Sequence, residues 1–241
     1  MLNIIDGKKV AAEFLKTLKI KAQELIDKGT TPKLTIILVG DDPASKLYVK
    51  NKQVKAKELG VLVDVVKFSK DAKTDEVLGI IKKLNDDKNN HGIIVQLPIS
   101  KHMDKQQIIE AIDPKKDVDG FAPINVGRAY LNDSDAFIPC TPLGILHLIN
   151  TIPSSKNKHV VVIGRSMIVG KPLVNLLLNN DFTVTICHSK TKNLAKIIRS
   201  ADIVVTAVGS PKKFTEEYFT KGQIVIDVGI SEFVAQDGVS S

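Results

Sequence analysis

The stretch that most constrains this chain runs from His159 to Leu178, HVVVIGRSMIVGKPLVNLLL. Val160-Val161-Val162-Ile163 shows no polar alternation and reads as a strand covered on both faces. Gly164 turns the chain, and an apolar helix is expected from Pro172. Strand, glycine turn and helix in that order make a cradle for phosphate. The N–H groups freed at a helix start, with the positive end of its dipole, favour an anion. Gly164 and Gly170 permit a tight turn and a close backbone approach. The pattern is G-R-S-M-I-V-G rather than G-x-G-x-x-G, and a glycine turn after a strand also occurs as a turn and nothing more.

Two neighbouring features favour a ligand. The chain has 34 Lys+Arg, yet only three are arginines, and one of them, Arg165, sits inside the turn. A guanidinium offers a planar fork suited to phosphate, where an ammonium is a point charge. The second feature is the end of the next strand, Thr183 to Thr191. A site for NAD usually carries an acidic residue about 20 residues past the glycines, bonding the ribose 2′-hydroxyl. Here that place reads Cys187-His188-Ser189-Lys190-Thr191, with no carboxylate. Arg165 and Ser189 can accept a 2′-phosphate instead, so the expected cofactor is NADP.

Composition narrows the alternatives. A length of 241 residues suits one large or two small domains. The formal charge of +7 fits an anionic ligand, and nucleic acid is the competing explanation. The lysines are dispersed and the chain has 5% aromatic residues and no Trp, so a base-stacking platform is not expected. Two cysteines, Cys140 and Cys187, make no disulfide framework and point to a reducing cytoplasm. Nothing at Met1 resembles a signal peptide, and no apolar run approaches the roughly 20 residues of a spanning helix, so no membrane partner is expected.

Along the chain, strands are expected at 2–5, 34–39, 61–68 and 92–97, alternating with helices. Asp6-Gly7 closes the first strand; Pro43 opens a helix over 43–59; Thr74 caps another over 75–84; a short one covers 103–112. Alternating strands and helices predict a parallel sheet wrapped by helices. Thr141 is expected to cap a helix over 143–150 with Pro142 at its first position. Strands at 183–187, 202–207 and 223–228 then complete a second doubly wound unit. The fold class is α/β: two doubly wound domains with a cleft between them, which is the default ligand site.

The first unit carries its own constellation. Ser45, Tyr48 and Lys52 fall within an arc of about 60° on the helix over 43–59. A hydroxyl, a phenol and an amine thus share one face near the carboxyl end of a strand, where open α/β sheets bind ligands. A Tyr and Lys one turn apart also form plain surface pairs. Gln96 stands at the end of its strand, before Leu97 and Pro98. Asp117-Val-Asp119-Gly120 places two carboxylates beside a glycine, as a ligand loop or a turn of solvated acids.

Taken together, Tyr48-Val-Lys-Asn-Lys52, Gln96-Leu-Pro98, Asp117-Val-Asp-Gly120, Pro139-Cys-Thr-Pro142, Gly164-Arg-Ser-x-x-Val-Gly-Lys-Pro172 and Asp227-Val-Gly-Ile230 resemble the bifunctional methylenetetrahydrofolate dehydrogenase/methenyltetrahydrofolate cyclohydrolase family, in the family's order from Ile5 to Ile230. The resemblance implies a folate-binding catalytic domain over 1–139 and a Rossmann-type NADP-binding domain over 140–241. It implies that Lys52 is the central catalytic group, with Gln96 beside it, and that Tyr48 stacks on the folate rings. Asp119 would bond the amino-pyrimidine edge of the pterin, with Ser45, Leu97 and Pro98 around the substrate. Gly164, Arg165, Ser166, Ser189, Thr141 and Ile230 would hold NADP, Ile230 at the nicotinamide. No metal is implied, and the family is homodimeric through its nucleotide-binding domain. The product would feed purine biosynthesis. The family continues through a Pro-Gly-Gly-Val-Gly-Pro loop and a final helix, whereas here Asp237-Gly238 reads as a hairpin turn and the sequence stops at Ser241. Part of the folate site is therefore expected to lie outside this sequence.

Two rival readings differ in class. Short-chain dehydrogenases also use Tyr-x-x-x-Lys with NADP, but downstream of the glycine turn in the same domain, whereas Tyr48 and Lys52 precede Gly164 in another lobe. A non-catalytic NADP-binding protein would need none of Lys52, Gln96 and Asp119.

Overall fold

The structure, a computed structural model, describes residues 4–210 and 213–229. The chain divides into two compact units, Met1–Gly127 and Arg128–Ser241.

In the first unit β1 (Lys33–Val39), β2 (Leu62–Phe68) and β3 (Gly92–Gln96) form a parallel sheet in the order β2-β1-β3. Register pairs Ile36 with Val65 on one side and with Ile94 on the other. The central strand runs apolar from Ile36 to Val39 because both its faces are covered; buried Thr35 donates to Asn90 Oδ1 at 2.7 Å. Ile37, Val39, Ile93 and Val95 pack on one face with Val77 and Ile81 of α3 (Thr74–Asp86) and Ile108 of α4 (Lys105–Glu110). Ile36, Leu38 and Ile94 pack on the other with Val49 of α2 (Pro43–Glu58). α1 (Gly7–Asp27) precedes the sheet.

In the second unit β4 (His159–Ile163), β5 (Thr183–Cys187), β6 (Ile203–Thr206) and β7 (Ile224–Asp227) are parallel in the order β5-β4-β6-β7. Val160, Val162, Ile203 and Val205 face α6 (Cys140–Asn150) and α7 (Gly170–Leu178) through Ile149, Leu173 and Leu177. Val161, Ile163 and Val204 face the other way, onto Ile198 of α8 (Leu194–Arg199). Burial of each such Val or Ile contributes about 1.5–3 kcal/mol. Among the described residues no helix is long and apolar enough to cross a membrane.

Differences from the sequence reading gather at helix starts. Ile4 and Ile5 are not in a strand. Asp6 caps α1, its Oδ1 accepting from Lys9 N–H at 3.0 Å, because a side chain that closes a turn equally satisfies a helix's first donors. α3 begins at Thr74 itself. Glu76 Oε2 accepts from Lys73 N–H at 2.7 Å, while Thr74 Oγ1 accepts from Asp104 N–H at 3.3 Å. α4 is shorter than expected and capped by Asp104, whose Oδ1 accepts from Gln107 N–H. α6 starts at Cys140, so Thr141 lies inside its first turn and is not the cap. α7 starts at Gly170, two residues before Pro172; a proline in the first turn removes a donor that has no intrahelical acceptor. α5 (Pro123–Tyr130) was not expected.

Candidate functional site

In the first sheet, β2 and β3 lie on opposite sides of β1, so the winding reverses there. The crevice beyond the carboxyl ends of β1 and β3 is the ligand position of such a sheet. β1 leads through Gly40, at φ 78°, into Asp42, whose Oδ2 accepts from Ser45 N–H at 2.7 Å and starts α2. Ser45, Tyr48 and Lys52 therefore stand on successive turns from that edge. Ser45 is buried, Tyr48 is exposed and Lys52 is half-buried. Gln96 ends β3 and meets Lys52: Lys52 Nζ donates to Gln96 Oε1 at 3.2 Å, and Gln96 Nε2 donates to Leu97 O at 2.9 Å. These two contacts fix the amide, since its oxygen must face the amine and its nitrogen the carbonyl. Leu97 is half-buried and Pro98, joined to it by a cis peptide, is exposed.

Asp119 joins this group electrostatically. Burial holds its carboxyl above the ordinary range; Lys52 pulls it down, and the like charge of Asp117 pushes it up again. Among the described residues its carboxyl accepts no hydrogen bond, so its lone pairs are available to a ligand's donors.

In the second sheet the winding reverses between β4 and β6. There the backbone leaves no room for a side chain. Gly164 has φ 131°, and a Cβ on it would lie 2.5 Å from Ala207 O. A Cβ on Gly170 would strike Gly164 O, and one on Gly229 would strike Val208 O. The strand ends are knitted by Gly164 N–H donating to Cys187 O and Ala207 N–H to Ile163 O. Ser166 Oγ accepts from Val169 N–H at 3.1 Å and Gly170 N–H at 3.4 Å. The first donors of α7 are thus partly satisfied within the chain, where the sequence suggested that they were free; the hydroxyl proton of Ser166 remains to donate. Arg165 is exposed, and among the described residues it has no hydrogen-bond or ion-pair partner. After β5, His188 N–H donates to Thr191 Oγ1 and Lys190 N–H to His188 Nδ1, so Ser189 is presented on a pinned, exposed turn. This glycine-lined floor beside an unpaired arginine fits a dinucleotide with an extra phosphate.

Comparison with known proteins agrees with this geometry. The model of the tetrahydrofolate dehydrogenase/cyclohydrolase catalytic domain matches residues 5–119, and that of the same family's NAD(P)-binding domain matches residues 139–240. A bifunctional protein FolD from an Exiguobacterium species is 48% identical over 231 residues, 96% of this chain and 83% of that protein. The chain belongs to the tetrahydrofolate dehydrogenase/cyclohydrolase family. A crystal structure of the bifunctional FolD enzyme of Campylobacter jejuni superposes with a TM-score of 0.93 at 40% identity, covering 100% of this chain and 85% of that one. The methylenetetrahydrofolate dehydrogenase-cyclohydrolase of Trypanosoma brucei, solved with NADP cofactor and an inhibitor, superposes at 0.92 with 34% identity, covering 98% and 82%.

Within this family member, Lys52, Gln96 and Asp119 come together, with Tyr48 one turn from Lys52. Gly164, Arg165 and Ser166 share one turn of the second unit. Thr141 is exposed in the first turn of α6. Ile230 and the Asp237-Gly238 turn lie outside the described residues. Sequence reasoning missed two supports. Thr206 Oγ1 donates to Asp227 Oδ1 at 2.5 Å, and Gly229 N–H bonds the same oxygen at 3.2 Å. Buried Asn125 donates to Asp117. Pro123, at a helix start some residues after an aspartate, was the available signal for the second.

Proposed function

We propose that this chain oxidises 5,10-methylenetetrahydrofolate to 5,10-methenyltetrahydrofolate with NADP+ and hydrolyses the product to 10-formyltetrahydrofolate. The observation that carries the reading is the Lys52–Gln96 bond, with the half-buried carboxyl of Asp119 within electrostatic reach of Lys52. Residues 1–139 bind the folate and residues 140–241 the cofactor. Asp119 accepts from the paired N–H donors of the pterin, a match of one carboxylate to two donors. Tyr48, exposed at the same edge, stacks on the flat rings; Ser45, Leu97 and Pro98 border the substrate.

Bound NADP+ supplies the acceptor for the hydride that leaves the methylene carbon. The chain's own contribution is alignment: Gly164 and Gly170 admit the backbone close to the pyrophosphate, Ser166 donates its hydroxyl proton, and Arg165 with Ser189 takes the 2′-phosphate. Thr141 and Ile230 belong to the same binding role. In the second step water adds to the electrophilic methenyl carbon and loses a proton, and the bond from that carbon to N5 breaks as N5 is protonated. Lys52, oriented by Gln96, activates that water or stabilises the charge that develops.

The same reading pairs two copies through the nucleotide-binding unit, places the enzyme in the cytoplasm and directs its product to purine assembly; family resemblance supports these, and light scattering checks the pairing. The reading itself is tested by NADPH formation from methylenetetrahydrofolate, with NADP+ and NAD+ compared. Folate-dependent reduction that prefers NADP+ is expected. NADP+ binding without folate turnover would make the chain a binding protein instead.

A further inference from the structure

We propose that Asp117 is a positioning residue for the folate-site carboxyl: with Asn125 it sets the loop that carries Asp119. The inference rests on the folate reading above and deepens it. Asp117 is buried, and both its oxygens are used. Oδ1 accepts from Phe121 N–H at 3.3 Å; Oδ2 accepts from Ala122 N–H at 2.8 Å and from Asn125 Nδ2 at 2.9 Å. Asn125, fully buried on α5, also donates to Pro114 O at 2.9 Å. Its amide has one workable orientation, since turning it would aim Oδ1 at two oxygens. Oδ1 is left unpartnered as the cost.

Asp119 lies inside this frame. Gly120 N–H donates to Asp117 O at 3.1 Å with Gly120 at φ 66°, closing the turn around Asp119. Asp117 bridges Ile93, and Ile93 N–H donates to Lys116 O at 2.7 Å, fastening the loop to β3. Three residues further on, β3 presents Gln96, which holds Lys52. One strand thus carries both halves of the site, and Asp117 is the joint between β3 and Asp119. The charged groups acting on Asp119 are Lys52 from α2 and Asp117 from its own loop, the latter raising its titration.

The test uses the full chain with Asp117→Asn and Asn125→Ala. An Asn at 117 turns one acceptor oxygen into a donor that faces N–H groups, and it removes the like charge. Expected for Asp117→Asn is a rise of about tenfold or more in KM for methylenetetrahydrofolate, with KM for NADP+ unchanged within about twofold. The Asp119 titration, followed by carbon NMR of its carboxyl, should move to lower pH. Asn125→Ala should raise the same KM while moving that titration less, because the charge of Asp117 stays. Variants that melt earlier yet keep the wild-type folate KM in their folded fraction would overturn the proposal and leave Asp117 a purely structural cap. If the wild type turns over no folate, the functional reading fails separately; backbone amide resonances of Asp119 and Gly120 that keep their wild-type positions in Asn125→Ala then overturn the positioning role by themselves.

Discussion

At Asp119 the needs of folding and of binding pull apart. Its carboxyl titrates above the ordinary value of 3.8, chiefly because it is buried. A folded-state pKa above the unfolded one favours the protonated form in the folded protein. The stability this contributes is present below the unfolded pKa and is lost as pH rises through the folded one. At neutral pH the group therefore costs stability. Asp119→Asn is expected to raise Tm at pH 7 by a few degrees, on the order of 1 kcal/mol, with the gain vanishing near pH 3. The same change should raise KM for folate by at least about tenfold, because one acceptor of the paired donors becomes a donor. In the wild type, kcat/KM for folate should fall as pH drops through a value above 3.8, since binding uses the ionised form. Melting curves and pH profiles of the two proteins check both signs. Lys52 and Tyr48 were legible because they share one helix face, Gln96 because it ends a strand, and Asp119 because it precedes a glycine in a loop. Asp117 and Asn125 were not, because their bond depends on α5, whose short run around Gly127 carries little helical signal.

Among elements, the turn between β4 and α7 is the most constrained. Gly164→Ala adds a Cβ 2.5 Å from Ala207 O at a φ that L residues avoid. The expected loss is about 2–4 kcal/mol of stability, with weaker NADP+ binding, read from denaturant melts and a cofactor titration. Ser166→Ala should cost about 1 kcal/mol, since its Oγ serves two N–H groups at the start of α7. The strands were readable because β1, β4 and β6 are covered on both faces and so carry unbroken apolar runs, Ile36 to Val39, Val160 to Ile163 and Ile203 to Val205. Helix starts were less so. Asp6 looked like the end of a strand and caps a helix; Thr74 and Thr141 looked like caps and lie inside one. Asp, Thr and Gly serve turns and caps with the same hydrogen bonds, so the choice is made by the packing of the helix that follows.

For the whole molecule, two parallel sheets follow from apolar strands alternating with helices, and their two winding reversals place two ligand edges. One edge carries the Lys52–Gln96 pair and Asp119, the other a glycine floor and an arginine without a partner among the described residues. Arg165→Ala should lower kcat/KM with NADP+ by about tenfold or more and leave the value with NAD+ nearly unchanged, as expected where one fork meets one phosphate. In the proposed function one amine, held by Gln96, serves the hydrolytic step while alignment alone serves hydride transfer. The most direct test is Lys52→Met with both steps measured on the same preparation. Hydrolysis of methenyltetrahydrofolate should fall by about 10²–10⁴-fold, with NADPH formation kept within about tenfold. Hydrolysis that persists in the variant, or equal loss of both steps with NADP+ binding intact, would contradict this division of roles.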